Sequence, residues 1–230
     1  MAGTLKKSRI MASLFAKFVP GIKAWNAVEL HAFLDATRTH QYGRAWAFLA
    51  STGCLRGEAL GLRWSDIDLD NLRASFIQTV QKVAGKVVFG EVKTNASRRA
   101  ISLDADTVLM LKEQRREQAA ERLLMGPAWV EHDLVFAKPT GEPLYPESVT
   151  RAFKSQVDRL PLPSITLHGL RHTWATVALT AGIHPKVVQE RLGHANVGIT
   201  LNIYSHVAPV MHDDAAELVA ALVRRSTGTK

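Results

Sequence analysis

His168 and Arg171 stand three residues apart in HGLRHTWAT, a spacing that puts both on one face of a helix. His194 follows a Leu-Gly step downstream, and Tyr204 comes ten residues after it. Arg56 sits far upstream in TGCLRGEALGLRW, where Gly53 and Gly57 let the backbone turn tightly or approach a partner, and Glu58 follows. Lys93 lies in VKTNASRR, ahead of Arg98 and Arg99. Each residue taken alone has an ordinary explanation. Arginines at helix starts and lysines in hairpins are mostly solvated, a lone histidine is as often structural as functional, and a tyrosine near a helix end usually packs with its hydroxyl bonded. Taken together, two arginines, a lysine, two histidines and a tyrosine suit one task, attack by a phenol oxygen on a phosphodiester. Guanidinium forks match phosphoryl oxygens bidentately, and fixed cations stabilise the added charge without reorganising. A lysine can protonate the departing oxygen, and a covalent intermediate conserves the bond for rejoining. The phenol, with a pKa of about 10, needs its proton taken or its anion stabilised by those cations.

Metal chemistry fits less well. His168 and His172 make HxxxH without the glutamate of a zinc protease, and Arg171 stands beside them; His172, His184 and His206 read as structural or surface groups. Asp66, Asp68 and Asp70 alternate like a calcium loop, but Asn71 replaces its glycine and Ile77 its final glutamate. They read as turn and strand-edge residues. No metal and no cofactor is expected. Cys54 is the only cysteine, which fits a reducing compartment. The formal net charge of +8 favours anionic partners, most often nucleic acid. No run of 18 apolar residues suggests a membrane span. The N-terminal MAGTLKKSRIMASLFAKFVP lacks a clean apolar core, being interrupted by Lys17, so no signal peptide is expected and the cytoplasm is the expected location.

These groups need elements to hold them. Residues 1–22 read as a lead-in or linker ending at Pro20-Gly21. Asn26 with Glu29 forms a capping-box pattern that opens a helix carrying Val28, Leu30, Phe33 and Leu34. Helices follow at about 43–52, ending at Gly53, and about 56–63. Three short β-like runs, Arg73–Val80, Lys86–Phe89 and Arg98–Leu103, read as one small antiparallel sheet, with Lys93 on a hairpin between the second and third. Asp104 caps a long helix to about Met125, stopped by Gly126-Pro127. Val135-Phe136 reads as a short buried run. Further helices are expected at about 146–160, 168–181, 185–193 and 197–205, and a last amphipathic one at about 213–225. The fold class is mostly α (α+β), a helical domain with a small three-stranded antiparallel sheet.

The segments TGCLRGEALGLRWSDID, KTNASRRAISL, HGLRHTWAT and RLGHANVGITLNIYSH, in that order, resemble the catalytic domain of the tyrosine recombinases of the phage-integrase family. The likeness covers roughly residues 25–225. It implies that Arg56 and Arg171 bind the scissile phosphate, that Lys93 is the general acid for the 5′-oxygen, and that His168 assists proton transfer. It implies that His194 donates a hydrogen bond to a non-bridging oxygen and that Tyr204 forms the 3′-phosphotyrosyl link. Glu58 matches the acidic position that supports the first arginine; Arg98 and Arg99 add charge for contacts to DNA phosphates. Residues 23–230 then make up the catalytic domain, without the core-binding and arm-binding domains usual in the family. The expectation is that this chain alone binds DNA weakly and recombines poorly. Partners implied are double-stranded DNA, other protomers in a DNA-bound tetramer, where the C-terminal helix either packs into a neighbouring protomer or docks on its own domain, and directionality or DNA-bending factors, with a nucleoid location. Alternatives are a Xer-like chromosomal resolution recombinase, a DNA-binding module without catalysis, a metal-dependent nuclease using the histidines, and a type IB topoisomerase with the same chemistry.

Overall fold

The computed structural model describes residues 23–92, 98–193, 198 and 200. In chain order the elements are α1 (Ala27–Ala36), α2 (Gly43–Thr52), α3 (Arg56–Gly61), β1 (Ile67–Asp68), β2 (Arg73–Phe76), β3 (Gln78–Val83), β4 (Lys86–Glu91), β5 (Arg99–Ser102), α4 (Ala105–Met125), α5 (Pro146–Val157), α6 (Gly169–Thr180) and α7 (Pro185–Leu192). Lys93, His194, Tyr204, the lead-in 1–22 and the expected helix at 213–225 lie outside the described residues, as does most of the one expected at 197–205.

Local chemistry places the helix ends. Asn26 Oδ1 accepts from Glu29 N at 2.9 Å while Glu29 Oε2 accepts from Asn26 N at 2.8 Å, so the capping box at α1 is complete. Asp104 accepts from both the backbone N and the hydroxyl of Thr107, at 2.9 and 2.7 Å, and opens the 21-residue α4. In α2 Trp46, Phe48 and Leu49 are buried and only a stripe of Arg44, Ala47 and Ser51 is half-exposed, so most of the helix surface lies in the core. It ends at Gly53, whose φ of +67° favours glycine; a Cβ there would also lie 2.6 Å from Leu192 Cδ2. Around α2 an aromatic cluster joins Trp25, Phe33, Trp46 and Phe153 with ring centroids 4.9–6.0 Å apart. A smaller apolar cluster, Ala175, Ala178, Leu179, Val188 and Leu192 with Trp174 against it, packs α6 on α7.

The strands depart from the simple expectation. The run Arg73–Val83 changes partner at Ile77. Its first half, β2, pairs antiparallel with β5 (Arg73 with Ser102, Phe76 with Arg99) and with β1 (Ile67 with Ala74). Its second half, β3, pairs with β4 from Gln78–Glu91 to Val83–Lys86. The three-stranded antiparallel sheet is therefore β1-β2-β5, and β3-β4 is a separate two-stranded ribbon. The expected pairing of Lys86–Phe89 with Arg98–Leu103 is not made. Alternation of apolar residues reports a strand but not its neighbour, and the short β1 carries no apolar alternation to announce it. The ribbon turns through Ala84 and Gly85, both at positive φ (+48° and +81°), the geometry of a two-residue primed turn.

The glycines of the Arg56 segment explain how α3 meets the ribbon. A Cβ on Gly57 would overlap Thr79 Oγ1 and lie 2.8 Å from Val80 O, and one on Gly61 would lie 3.0 Å from Thr79 Cα. Spaced i, i+4, they form a bare stripe that lets the α3 backbone rest on β3. The partner that Gly57 approaches is thus the protein's own strand.

Candidate active site

Arg56, His168 and Arg171 line one cleft of about 380 Å³, together with Cys54, Gly57 and Thr150 among others. Three elements converge on it, the α2–α3 turn, α5, and the start of α6. Arg56, the first residue of α3, is aimed by α5: its Nη1 donates to Thr150 Oγ1 at 2.7 Å and to Pro146 O at 3.3 Å. Arg171 is 6% exposed on α6. Its Nη1 donates to Gly53 O at 2.9 Å and its Nη2 to Leu192 O at 2.7 Å. Burial, with Arg99 nearby and Glu58 opposing, lowers its pKa to about 10, so it stays charged at neutral pH. His168 is exposed at the head of the same helix, its ring edge-on to His172 with centroids 5.0 Å apart. Desolvation, then His172, then the charge of Arg171 hold its pKa below the ordinary 6.5, favouring neutral imidazole. Cys54 is buried beside the cleft, and desolvation pushes its thiol up to about 12, which keeps it protonated and unreactive.

Glu58 and Arg99 are placed differently from what the sequence suggests. Glu58 is 3% exposed; its Oε2 accepts from Leu55 N at 2.8 Å, capping α3. Both its oxygens are gripped by Arg99, Nη1 to Oε1 and Nη2 to Oε2, each at 2.9 Å. Glu58 thus bonds Leu55 N and the Arg99 guanidinium, and none of its described hydrogen bonds goes to Arg56. Arg99, expected among the phosphate contacts, has a buried side chain lying over Phe76, 4.7 Å from the ring centroid. Arg98 is exposed and pairs with Glu91 at 2.7 Å. Sequence reasoning missed Thr150, which lies 94 residues from Arg56 and has no local signal. Among the described residues no three His, Cys, Asp or Glu side chains gather as a metal site.

The model of the phage integrase family matches residues 24–210. The chain belongs to the phage integrase family. A relative in the family, the tyrosine recombinase XerC-like protein of Caldanaerobacter subterraneus subsp. tengcongensis, is 30% identical over 226 residues, covering 93% of this chain and 58% of the relative. The integrase of Staphylococcus phage L54a is 27% identical over 182 residues, covering 76% of this chain and 50% of the phage protein. The chain therefore spans little more than half the length of these curated relatives. Among solved structures, the Tn1549 transposon integrase in complex with transposon right end DNA matches with a TM-score of 0.70 at 21% identity, covering 84% of this chain and 66% of that one. XerA recombinase matches with a TM-score of 0.65, also at 21% identity, over 83% of this chain and 63% of that one. These likenesses fix the fold of this integrase-family chain as that of the recombinases. Among its described residues no helix is long and apolar enough to cross a membrane.

Proposed function

We propose that this protein is a site-specific DNA recombinase that cuts and rejoins strands through a 3′-phosphotyrosine, without a metal or cofactor. The observation that carries this reading is the cleft shared by Arg56, His168 and Arg171, two guanidinium groups beside an imidazole. The scissile phosphate lies against both arginines, whose planar donors match its non-bridging oxygens. The Tyr204 oxygen attacks phosphorus and a P–O bond to tyrosine forms. The P–O5′ bond breaks, and the 5′-oxygen leaves with a proton from Lys93. The phenol proton goes to His168, and His194 donates to a non-bridging oxygen. Reversal of the same steps by the 5′-hydroxyl of another strand rejoins DNA. Residues 23–230 act as the catalytic domain, with 1–22 as a linker. The working assembly is a tetramer on duplex DNA with exchanged C-terminal helices, assisted by directionality or bending factors, in the cytoplasm at the nucleoid.

The test is covalent trapping. Lightly nicked fragments of the source genome are incubated with the chain, and SDS-resistant protein–DNA adducts are isolated and sequenced. Adducts with the wild type and none with Tyr204→Phe are expected, with the DNA joined through its 3′ end. No wild-type adduct at DNA concentrations that saturate binding would overturn the reading. A second reading, a Xer-like recombinase of chromosomal sites, is favoured by the XerC-like relative. Trapped sequences at the ends of a mobile element support an integrase, and a single chromosomal site supports the second.

A further inference from the structure

The last turn of α7 is held by two guanidinium groups from other elements. Arg99 Nε donates to Arg191 O at 2.6 Å, and Arg171 Nη2 donates to Leu192 O at 2.7 Å. Carbonyls at a helix C-terminus lack partners within the helix and form the negative end of its dipole, so cations there satisfy both needs. The other two nitrogens of Arg99 grip Glu58, which caps the helix beginning with Arg56. One buried arginine thus joins β5, α3 and the end of α7. Arg191 itself turns its guanidinium over Trp174, 5.1 Å from the ring centroid, which ties α7 to α6 as well.

We propose that Arg99 is a positioning residue for strand cleavage. By holding Glu58 and the Arg191 carbonyl at once, it fixes the end of α7, and the chain leading into His194, against the helix that carries Arg56. The inference rests on the recombinase reading. A phosphate contact does not suit Arg99, because its three nitrogens have protein partners, its face lies on Phe76, and its charge is balanced by Glu58. Mere stability does not account for it well either, since buried ion pairs are often replaceable by apolar side chains at no net cost. A fork that must reach a carboxylate and a carbonyl in fixed directions is a geometric device that a lysine cannot reproduce.

The experiment compares wild type, Arg99→Met, Arg99→Lys and Glu58→Gln, each confirmed folded by thermal melting. Hydrogen exchange is read at the 186–193 peptide, and single-turnover adduct formation on a trapped wild-type fragment at saturating DNA. In Arg99→Met the 186–193 peptide should exchange faster while α4 peptides keep their rates. Its cleavage should fall about tenfold or more while the DNA Kd changes less than about threefold. Arg99→Lys should not rescue, and Glu58→Gln should lie between. Wild-type exchange at the α7 end, or a cleavage loss matched by weaker binding, would overturn the inference. If Arg99→Met fails to fold, Glu58→Gln, which keeps an acceptor for Leu55 N, carries the same comparison. An inactive wild type would instead bring down the recombinase reading, leaving the exchange data to judge the clamp.

Discussion

At the scale of single residues, the two arginines of the cleft differ in how they are held, and that difference is testable. Arg171 spends two of its five donors on the carbonyls of Gly53 and Leu192, which lie on different elements. A lysine ammonium in its place cannot span both and still present a planar edge to phosphate. Arg171→Lys should therefore cut covalent-adduct formation by about 100-fold or more, measured by single-turnover trapping; near-wild-type trapping would remove Arg171 from the role given it. His168 should act as a base only when neutral. Because its pKa is held below 6.5, cleavage should persist on the acid side of neutrality and fall once pH passes down through that lowered value. Removing one of the causes, in His172→Gln, should raise the His168 pKa and move the acid limb of the pH–rate profile to higher pH. A limb that stays in place would mean another group sets it.

At the scale of elements, the ribbon turn offers a clean stability test. Ala84 sits at φ +48°, a left-handed conformation that costs an alanine roughly 1 kcal/mol and that asparagine before glycine tolerates. Ala84→Asn should raise stability by about 0.5–1 kcal/mol in denaturant melts, with no loss if the turn is as described. Much of this level was legible in the sequence. Capping residues act on their own neighbours, so Asn26, Glu29, Asp104 and Gly53 announced three helix ends correctly. Long-range choices were not legible. Strand-forming residues continue on both sides of Ile77 while the chain changes neighbours there, and Glu58 has Arg56 two residues away but takes Arg99, 41 residues away, as partner. Type and spacing found the cleft residues; only packing could show that Arg99 faces inward and Thr150 aims Arg56.

At the scale of the whole molecule, the +8 charge makes an electrostatic prediction. Duplex DNA affinity should fall by about 100-fold or more between roughly 50 and 200 mM salt, read by anisotropy titration; a flat response would remove phosphate neutralisation as the source of binding. The core arrangement adds a mechanical point. Side chains between two elements act as springs, since rotamer changes absorb small displacements. At Gly57 and Gly61 α3 contributes no such spring, because no side chain of its own stands between its backbone and β3. The base of the ribbon at Thr79 and Val80 and the helix bearing Arg56 are therefore joined more tightly than elements that meet through long side chains. A displacement of β3 at Thr79 should carry the Arg56 helix with it.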